Sequence, residues 1–291
     1  MTRAADVEIG NPDKALFDDP AVTKRDLAAY YRTVADAMLP HIRGRPLALQ
    51  RFPDGIGADG FIQKQRPEHA PDWVKGVAVE RESGGPITMI VCDDAATLAW
   101  LADQAVITVH RWLSRVEDLH RPDRLVFDLD PPGTDFAAVK RAAYDLRALL
   151  DDLDLPAYLM TTGSRGLHVV VPIRVEEPFD DVRDVARRIA DAAADRHPDR
   201  LTTRVRKDQR KGRLFVDILR NAYAQHAVAP YAVRPKPGAP VATPLRWSEL
   251  DATRSAQRWT VRDLESRLSD GDPWHDMPRH AHSLAKIRDR L

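Results

Sequence analysis

The sequence predicts an α/β (α+β) protein of packed strands and helices, and three observations carry that expectation. An apolar run over 124–130 leads through a Pro-Pro-Gly turn into a helical pattern over 134–150, with Phe136, Val139, Leu146 and Leu149 or Leu150 inward. Two further strands flank a turn of small polar residues around 162–166, and a helical pattern over 179–196 turns Val182, Val185 and Ile189 inward. A last apolar run, 213–219, follows a basic stretch. Strands alternating with helices of this length can each bury one face against the other, which is the layered α/β arrangement.

At 291 residues the chain can bury a large core, and it reads as one domain over 1–291 with a short basic tail from about 279 that is helical or frayed. The 44 basic residues balance the 44 acidic ones, so no global field points to a nucleic-acid partner and any such surface is local. One candidate lies between Arg200 and Arg220, where eight basic residues face only Asp208 and Asp217; a solvated loop gives the same count. A single cysteine, Cys92, excludes an internal disulfide framework and a thiolate zinc cluster, and fits a reducing compartment. The amino terminus lacks an apolar signal core and no apolar run reaches membrane-spanning length, so the expectation is a cytoplasmic protein with no membrane partner.

Taken in order, Asn11-Pro12-Asp13-Lys14 is a turn signal, and Thr23 with Asp26 three residues on caps a helix whose buried stripe is Leu27, Tyr30, Tyr31, Val34 and Met38. Pro40 and Gly44 stop that helix. Lys14 and Lys24 lie near its start, where ammonium groups beside a positive helix end suit an anion such as phosphate; exposed lysines are the plainer reading. Residues 46–52 read as a strand closed by Pro53-Asp54-Gly55, and 60–64 as a second short run. There Phe61 and Ile62 beside Arg51 and Lys64 are either core or a stacking platform for a base. A strand over 87–92 and a helix over 94–104 carrying Leu98, Trp100 and Leu101 are structural. The β-branched run 105–112 ends in a histidine, His110, whose plain reading is a hydrogen-bonded structural group. Residues 221–241 are irregular and carry Arg234 and Lys236 among prolines, and Thr260 with Asp263 caps a last helix over 260–268, stopped near Gly271.

The chemistry concentrates in three places. In a strand over 124–130, Asp128 and Asp130 leave the same face and Leu129 the other. Two such charges repel, and burying either is costly unless a cation neutralises the pair or one takes up a proton. Hard oxygen ligands suit Mg²⁺ or Mn²⁺; the bland alternative is that Asp130 merely opens the Pro-Pro-Gly turn. The second place is the turn itself, where the backbone at Gly163 and Gly166 with Thr162, Ser164 and Arg165 offers donors for a triphosphate, and His168 follows on an apolar strand. A plain hairpin with a satisfied core histidine is the competing reading. Third, Asp217 stands alone in an apolar strand and needs a partner, which makes it the natural third ligand of the pair.

Asp128-Leu129-Asp130, the 162–168 turn and Asp217, in this order, resemble the three motifs of the archaeo-eukaryotic primase superfamily. With Asn11-Pro12-Asp13-Lys14, His110, the 163–168 run Gly-Ser-Arg-Gly-Leu-His, and the stretch from Asp217 through Asn221 to Arg234, the chain is similar over about 7–274 to the polymerase domain of bacterial ligase D. That resemblance implies a primase-polymerase fold, a mixed central β-sheet with an RNA-recognition-motif-like catalytic module flanked by helices. It implies nucleotidyl transfer from a nucleoside triphosphate to a primer 3′-hydroxyl with two divalent ions, Mn²⁺ or Mg²⁺, on Asp128, Asp130 and Asp217. His110, Thr162, Ser164, Arg165, His168, Arg210 and Arg234 are then the nucleotide site, Asn11, Lys14 and Lys24 the pocket for a DNA 5′-phosphate, and Arg51, Phe61 and Ile62 the template contact.

The implied partners are gapped or broken duplex DNA bearing a 5′-phosphate, ribo- or deoxyribonucleoside triphosphates with a preference for ribonucleotides, a separate DNA ligase and an end-binding protein such as Ku, all on the bacterial nucleoid in the cytoplasm. Without a recognisable lysine-centred ligase motif, the chain is expected to be a stand-alone polymerase for gap filling in excision repair or end joining. A primase that starts chains without a primer and a non-catalytic DNA-end adaptor are the rival readings. Three positions depart from the family pattern. Thr162 stands where serine is usual, Arg165 where lysine is common, and Ile62 where a second aromatic is common. The arginine offers a planar fork rather than a point charge.

Overall fold

The computed structural model describes residues 7–19, 21–81, 84–285 and 287–290, and its chain divides into two compact units. Unit 1 is built from Met1–Glu117, Val228–Ala242 and Trp259–Asp272, and unit 2 from Asp118–Ala227, Thr243–Arg258 and Pro273–Leu291.

In unit 1 a hairpin of β1 (Ala15–Asp18) and β2 (Ala21–Thr23) leads into helix α1 (Lys24–Ile42). The capping box is present: Thr23 Oγ1 accepts from the Asp26 N–H, and Asp26 accepts from the Thr23 N–H. Leu27, Tyr31, Val34 and Met38 are buried as their spacing predicts. The helix runs two residues past Pro40, because a proline in the last turn removes only one hydrogen bond. Strand β3 (Leu47–Arg51) pairs antiparallel with β4 (Phe61–Gln63) on one side and with β7 (Val106–Trp112) on the other. A separate hairpin joins β5 (Gly76–Val79) to β6 (Ile87–Ile90). Helix α2 (Ala95–Asp103), capped by Asp94, packs against α1, and β8 (Ser114–Arg115) ends the first stretch.

Unit 2 opens with β9 (Asp118–Pro122) and β10 (Arg124–Asp130), followed by α3 (Phe136–Asp152), β11 (Tyr158–Thr161), β12 (Leu167–Pro172) and α4 (Phe179–Arg196). Then come β13 (Leu201–Thr202), the single-turn helix α5 (Lys207–Arg210) and β14 (Leu214–Asp217). Strand β15 (His226–Val228) lies where the chain returns to unit 1, and β16 (Pro244–Leu245) belongs to unit 2. The central sheet has the order β13-β14-β10-β12-β11-β16 and is mixed, all pairs antiparallel except β13 with β14. Helices α3 and α4 pack on it, burying Val139, Leu146, Val182, Val185 and Ile189.

Strand β10 sits at the centre, and its outer pairing is completed by a side chain. Strand β14 pairs only with residues 128–130 of β10. Two residues further back, Asn221 takes over: its Oδ1 accepts from the Val126 N–H at 2.8 Å, and its Nδ2 donates to the Val126 carbonyl at 2.7 Å and to Ile218 O at 2.9 Å. Asn221 is fully buried, so these bonds satisfy backbone groups that water cannot reach.

The last helix is shorter than its sequence predicts. Thr260 and Asp263 close a turn of their own, with Thr260 N and Oγ1 both donating to Asp263 Oδ2, and α6 (Leu264–Leu268) begins after it. From residue 279 the chain lies against unit 2: Leu284 and Ile287 are buried, Arg288 pairs with Glu177 and Asp181, and Arg290 donates to the Leu153 carbonyl. Among the described residues no helix is long and apolar enough to cross a membrane.

Candidate metal centre and anion site

The register of three adjacent strands assembles the acidic site of unit 2. On β10, Asp128 stands opposite Asp217 of β14 and opposite His168 of β12, while Asp130 stands opposite Phe215. Directly paired residues share a face, and i and i+2 share a face, so all five side chains project from one side of the sheet. Leu129 and Phe127 leave the other side and are buried there. One carboxylate oxygen from each of Asp128, Asp130 and Asp217 lies within 4.8 Å of the others.

Such a cluster is electrostatically costly without a cation. Burial, then the Asp128 and Asp217 charges, push the Asp130 carboxyl up, against the pull of Arg165 and His168. Burial also pushes Asp217 up; its bond from the Leu219 N–H at 2.7 Å pulls it down, Asp128 pushes it up, and Arg220 and Arg210 pull it down. His168 Nε2 lies 3.5 Å from Asp128 Oδ2, and both are nearly buried. Three hard oxygen donors, converging and mutually destabilised, fit a divalent ion of the Mg²⁺ or Mn²⁺ kind.

The turn between β11 and β12 is organised by Thr162. Its hydroxyl donates to the Gly166 carbonyl at 3.0 Å and accepts from the Ser164 and Gly166 N–H groups at 3.2 Å. The Gly166 N–H, a backbone donor expected to face a phosphate, is therefore turned onto that hydroxyl, together with the Ser164 N–H. The exposed donor is Arg165, at the tip. A Cβ on Gly166 would fall 2.2 Å from the Leu129 carbonyl, so only glycine lets the turn lie this close to the acidic strand. Gln257, which the sequence did not mark, braces the turn by donating to the Ser164 carbonyl at 2.9 Å.

Arg210 joins the site through Phe215. Its guanidinium lies 3.9 Å from the Phe215 ring centroid and donates to the carbonyls of Arg204 and Val205. Phe215 went unmarked because an aromatic in an apolar strand reads as core; only the register, which pairs it with Asp130, gives it a second role.

His110 and Arg234 belong to unit 1. His110 is half-buried on β7 opposite Ala48, and the Arg234 N–H closes a turn onto the Pro240 carbonyl. The template candidates are also in unit 1. Phe61 and Ile62 are 49% and 46% exposed on β4, and neighbouring strand residues leave opposite faces, so they do not form one platform. Phe61 pairs in register with Arg51, whose guanidinium is 5.5 Å from its ring and is held by Gln104 O and Gln63 Oε1.

The 11–24 region departs from its expected chemistry. The N–H groups of Lys24 and Arg25, at the start of α1, are taken by the carbonyls of Lys14 and Pro12, and that of Asp26 by Thr23. The helix end thus offers an anion few free donors, and side chains must supply the site. Lys24 is buried and paired with Asp103 at 2.8 Å, and also donates to the Gly10 carbonyl. Lys14 is exposed and paired with Asp54 at 2.8 Å. Asn11 is exposed, in the left-handed region at φ 49°, and its carbonyl accepts from the Lys14 N–H.

Comparison with known proteins gives a consistent likeness. Residues 23–274 match the family described as LigD, primase-polymerase domain. The multifunctional non-homologous end joining protein LigD of Mycolicibacterium smegmatis is 35% identical over 294 residues, covering 100% of this chain and 38% of that protein. The bifunctional non-homologous end joining protein LigD of Bacillus subtilis is 30% identical over 271 residues, covering 92% of this chain and 43% of that protein. The chain thus spans less than half the length of these relatives. Among solved structures, the polymerase domain of Mycobacterium tuberculosis ligase D in complex with DNA superposes with a TM-score of 0.87 at 33% identity, covering 94% of this chain and 99% of that one.

Proposed function

The chain belongs to the family of LigD primase-polymerase domains, nucleotidyltransferases that extend nucleic-acid strands, and we propose that it fills short gaps in DNA whose downstream strand carries a 5′-phosphate. The observation that carries the reading is the convergence of Asp128, Asp130 and Asp217 on one face of the central sheet.

In this reading the three carboxylates hold two ions, Mg²⁺ or Mn²⁺. Bound there, the ions supply a lowered pKa at the primer 3′-hydroxyl and neutralise the triphosphate. The protein's own groups do the positioning. His168, beside Asp128, fixes the orientation of that carboxylate. Thr162 keeps the turn closed and presents Arg165, whose planar fork suits phosphate oxygens. Arg210, stacked on Phe215, brings a second guanidinium to the same face. His110 and Arg234 bind nucleotide, Arg51, Phe61 and Ile62 touch the template, and Asn11, Lys14 and Lys24 form the 5′-phosphate pocket. Ribonucleotides are the preferred substrates. A ligase that seals the filled gap and an end-binding protein of the Ku kind are the matching partners, and the place of work is the DNA of a bacterial cytoplasm.

The test is primer extension on a one-nucleotide gap with Mn²⁺ or Mg²⁺, with and without the 5′-phosphate, offering ribo- and deoxyribonucleotides separately. Extension is expected to require the metal, to improve with the phosphate and to favour ribonucleotides. Asp128→Ala is expected to abolish incorporation while DNA binding persists. Full activity in that variant defeats the reading.

A further inference from the structure

We propose that Asp54 is a built-in competitor for the 5′-phosphate: it holds the Lys14 ammonium in the DNA-free protein and gives it up to the terminal phosphate, whereas Lys24 lines the pocket without leaving Asp103. The inference rests on the reading that this region binds a 5′-phosphate, and it divides the work of that pocket between two lysines.

The position of Asp54 is built rather than accidental. It occupies the turn Pro53-Asp54-Gly55, which the Gly55 N–H closes onto the Phe52 carbonyl at 3.1 Å and which is stitched to the strand following Lys14 by the Ile56 N–H, donating to the Leu16 carbonyl at 2.9 Å. Gly55 adopts φ 81°, and a Cβ there would come within 3.3 Å of the carbonyls of Ala15 and Leu16. A residue with a side chain would push the turn away. With glycine the turn seats against β1, and the carboxylate beside it meets Lys14 Nζ at 2.8 Å.

The two ion pairs differ in the property that decides exchange. The Lys14 and Asp54 side chains are 40% and 76% exposed, and those of Lys24 and Asp103 are 10% and 19% exposed. An exposed pair is worth little and parts easily, whereas breaking a buried pair strands a charge in a medium that solvates it poorly. Asp103 also accepts from the Gly10 N–H at 2.8 Å, and Lys24 donates to the Gly10 carbonyl, so the second pair ties down the segment leading to Asn11. Together the four side chains carry no net charge. A phosphate dianion displaces the carboxylate monoanion from Lys14 because it brings twice the charge and more acceptor oxygens. An end without phosphate has nothing to offer Lys14, and Asp54 stays.

The experiment measures binding of gapped duplexes, with and without the 5′-phosphate, to the full chain and to Asp54→Asn, Lys14→Ala, Lys24→Ala, the Asp54→Asn/Lys14→Ala double variant and Asp13→Asn. Asp13 is an exposed carboxylate paired with Arg25, so its removal controls for net charge. Asp54→Asn is expected to tighten binding of the phosphorylated gap by about two- to fivefold more than that of the unphosphorylated one, the scale of an exposed ion pair. That gain is expected to vanish in the double variant and to be absent in Asp13→Asn. Lys24→Ala is expected to lower the melting temperature, unlike Lys14→Ala. Equal tightening on both DNAs, the same gain from Asp13→Asn, or no gain while Lys14→Ala still loses the phosphate preference overturns the competitor role and leaves the pocket standing. Retention of the phosphate preference in Lys14→Ala overturns the pocket reading itself.

Discussion

Replacing Asp130 with asparagine removes one negative charge from a face that already holds Asp128 and Asp217. Since burial and those neighbours push the Asp130 carboxyl up, its ionised form is disfavoured in the folded chain, and a neutral isostere relieves the protein of that cost. Asp130→Asn is therefore expected to raise the melting temperature of the metal-free protein by about 2–4 °C while abolishing nucleotide incorporation. Added Mn²⁺ is expected to stabilise the original protein and to do much less for the variant, as scanning calorimetry with and without metal will read. A lower melting temperature in the variant defeats this account. At this scale the sequence was informative where chemistry is written into spacing: Asp128 and Asp130 at i and i+2 had to share a face. It was silent about which donors are already engaged. Nothing in the letters tells that the Thr162 hydroxyl draws in the Ser164 and Gly166 N–H groups, or that Lys24 is spoken for by Asp103, 79 residues away.

Strand β10 shows the same division among elements. Its hydrophobic pattern and that of the helices around it are regular enough that 134–150 and 179–196 lie within two residues of the observed α3 and α4. Strands β1, β2 and β5 are too short for alternation to register, and 260–263 carried a capping signature that closes a turn instead of opening a helix. Least visible was the role of Asn221, because its partners lie 95 residues back in the chain. Asn221→Ala leaves the Val126 N–H and carbonyl without partners inside the protein, and each buried polar group left so costs about 1–3 kcal/mol. A loss of roughly 3 kcal/mol is expected, allowing for partial relaxation, or about 6–12 °C in melting temperature. Asp128 sits two residues along the same strand, so the variant is also expected to incorporate nucleotides more slowly at temperatures where it remains folded. A variant as stable and as active as the original shows that β14 alone fixes the strand.

Across the whole molecule, the strand-helix alternation pointed to the right fold class, and the motif order to the right family. The division into two units could not be read, because no change of composition marks it: unit 1 draws on three separate stretches and so does unit 2. Fragment 1–117, which lacks the two later stretches of unit 1, is accordingly expected to unfold without cooperativity when produced alone, as circular dichroism on heating will show. A sharp transition in fragment 1–117 means that its two later stretches are dispensable. The interleaving also bears on ancestry. A gene cut at any single point divides at least one of the units, so recombination can pass this region on intact only as a whole, with its acidic cluster and its lysines travelling together.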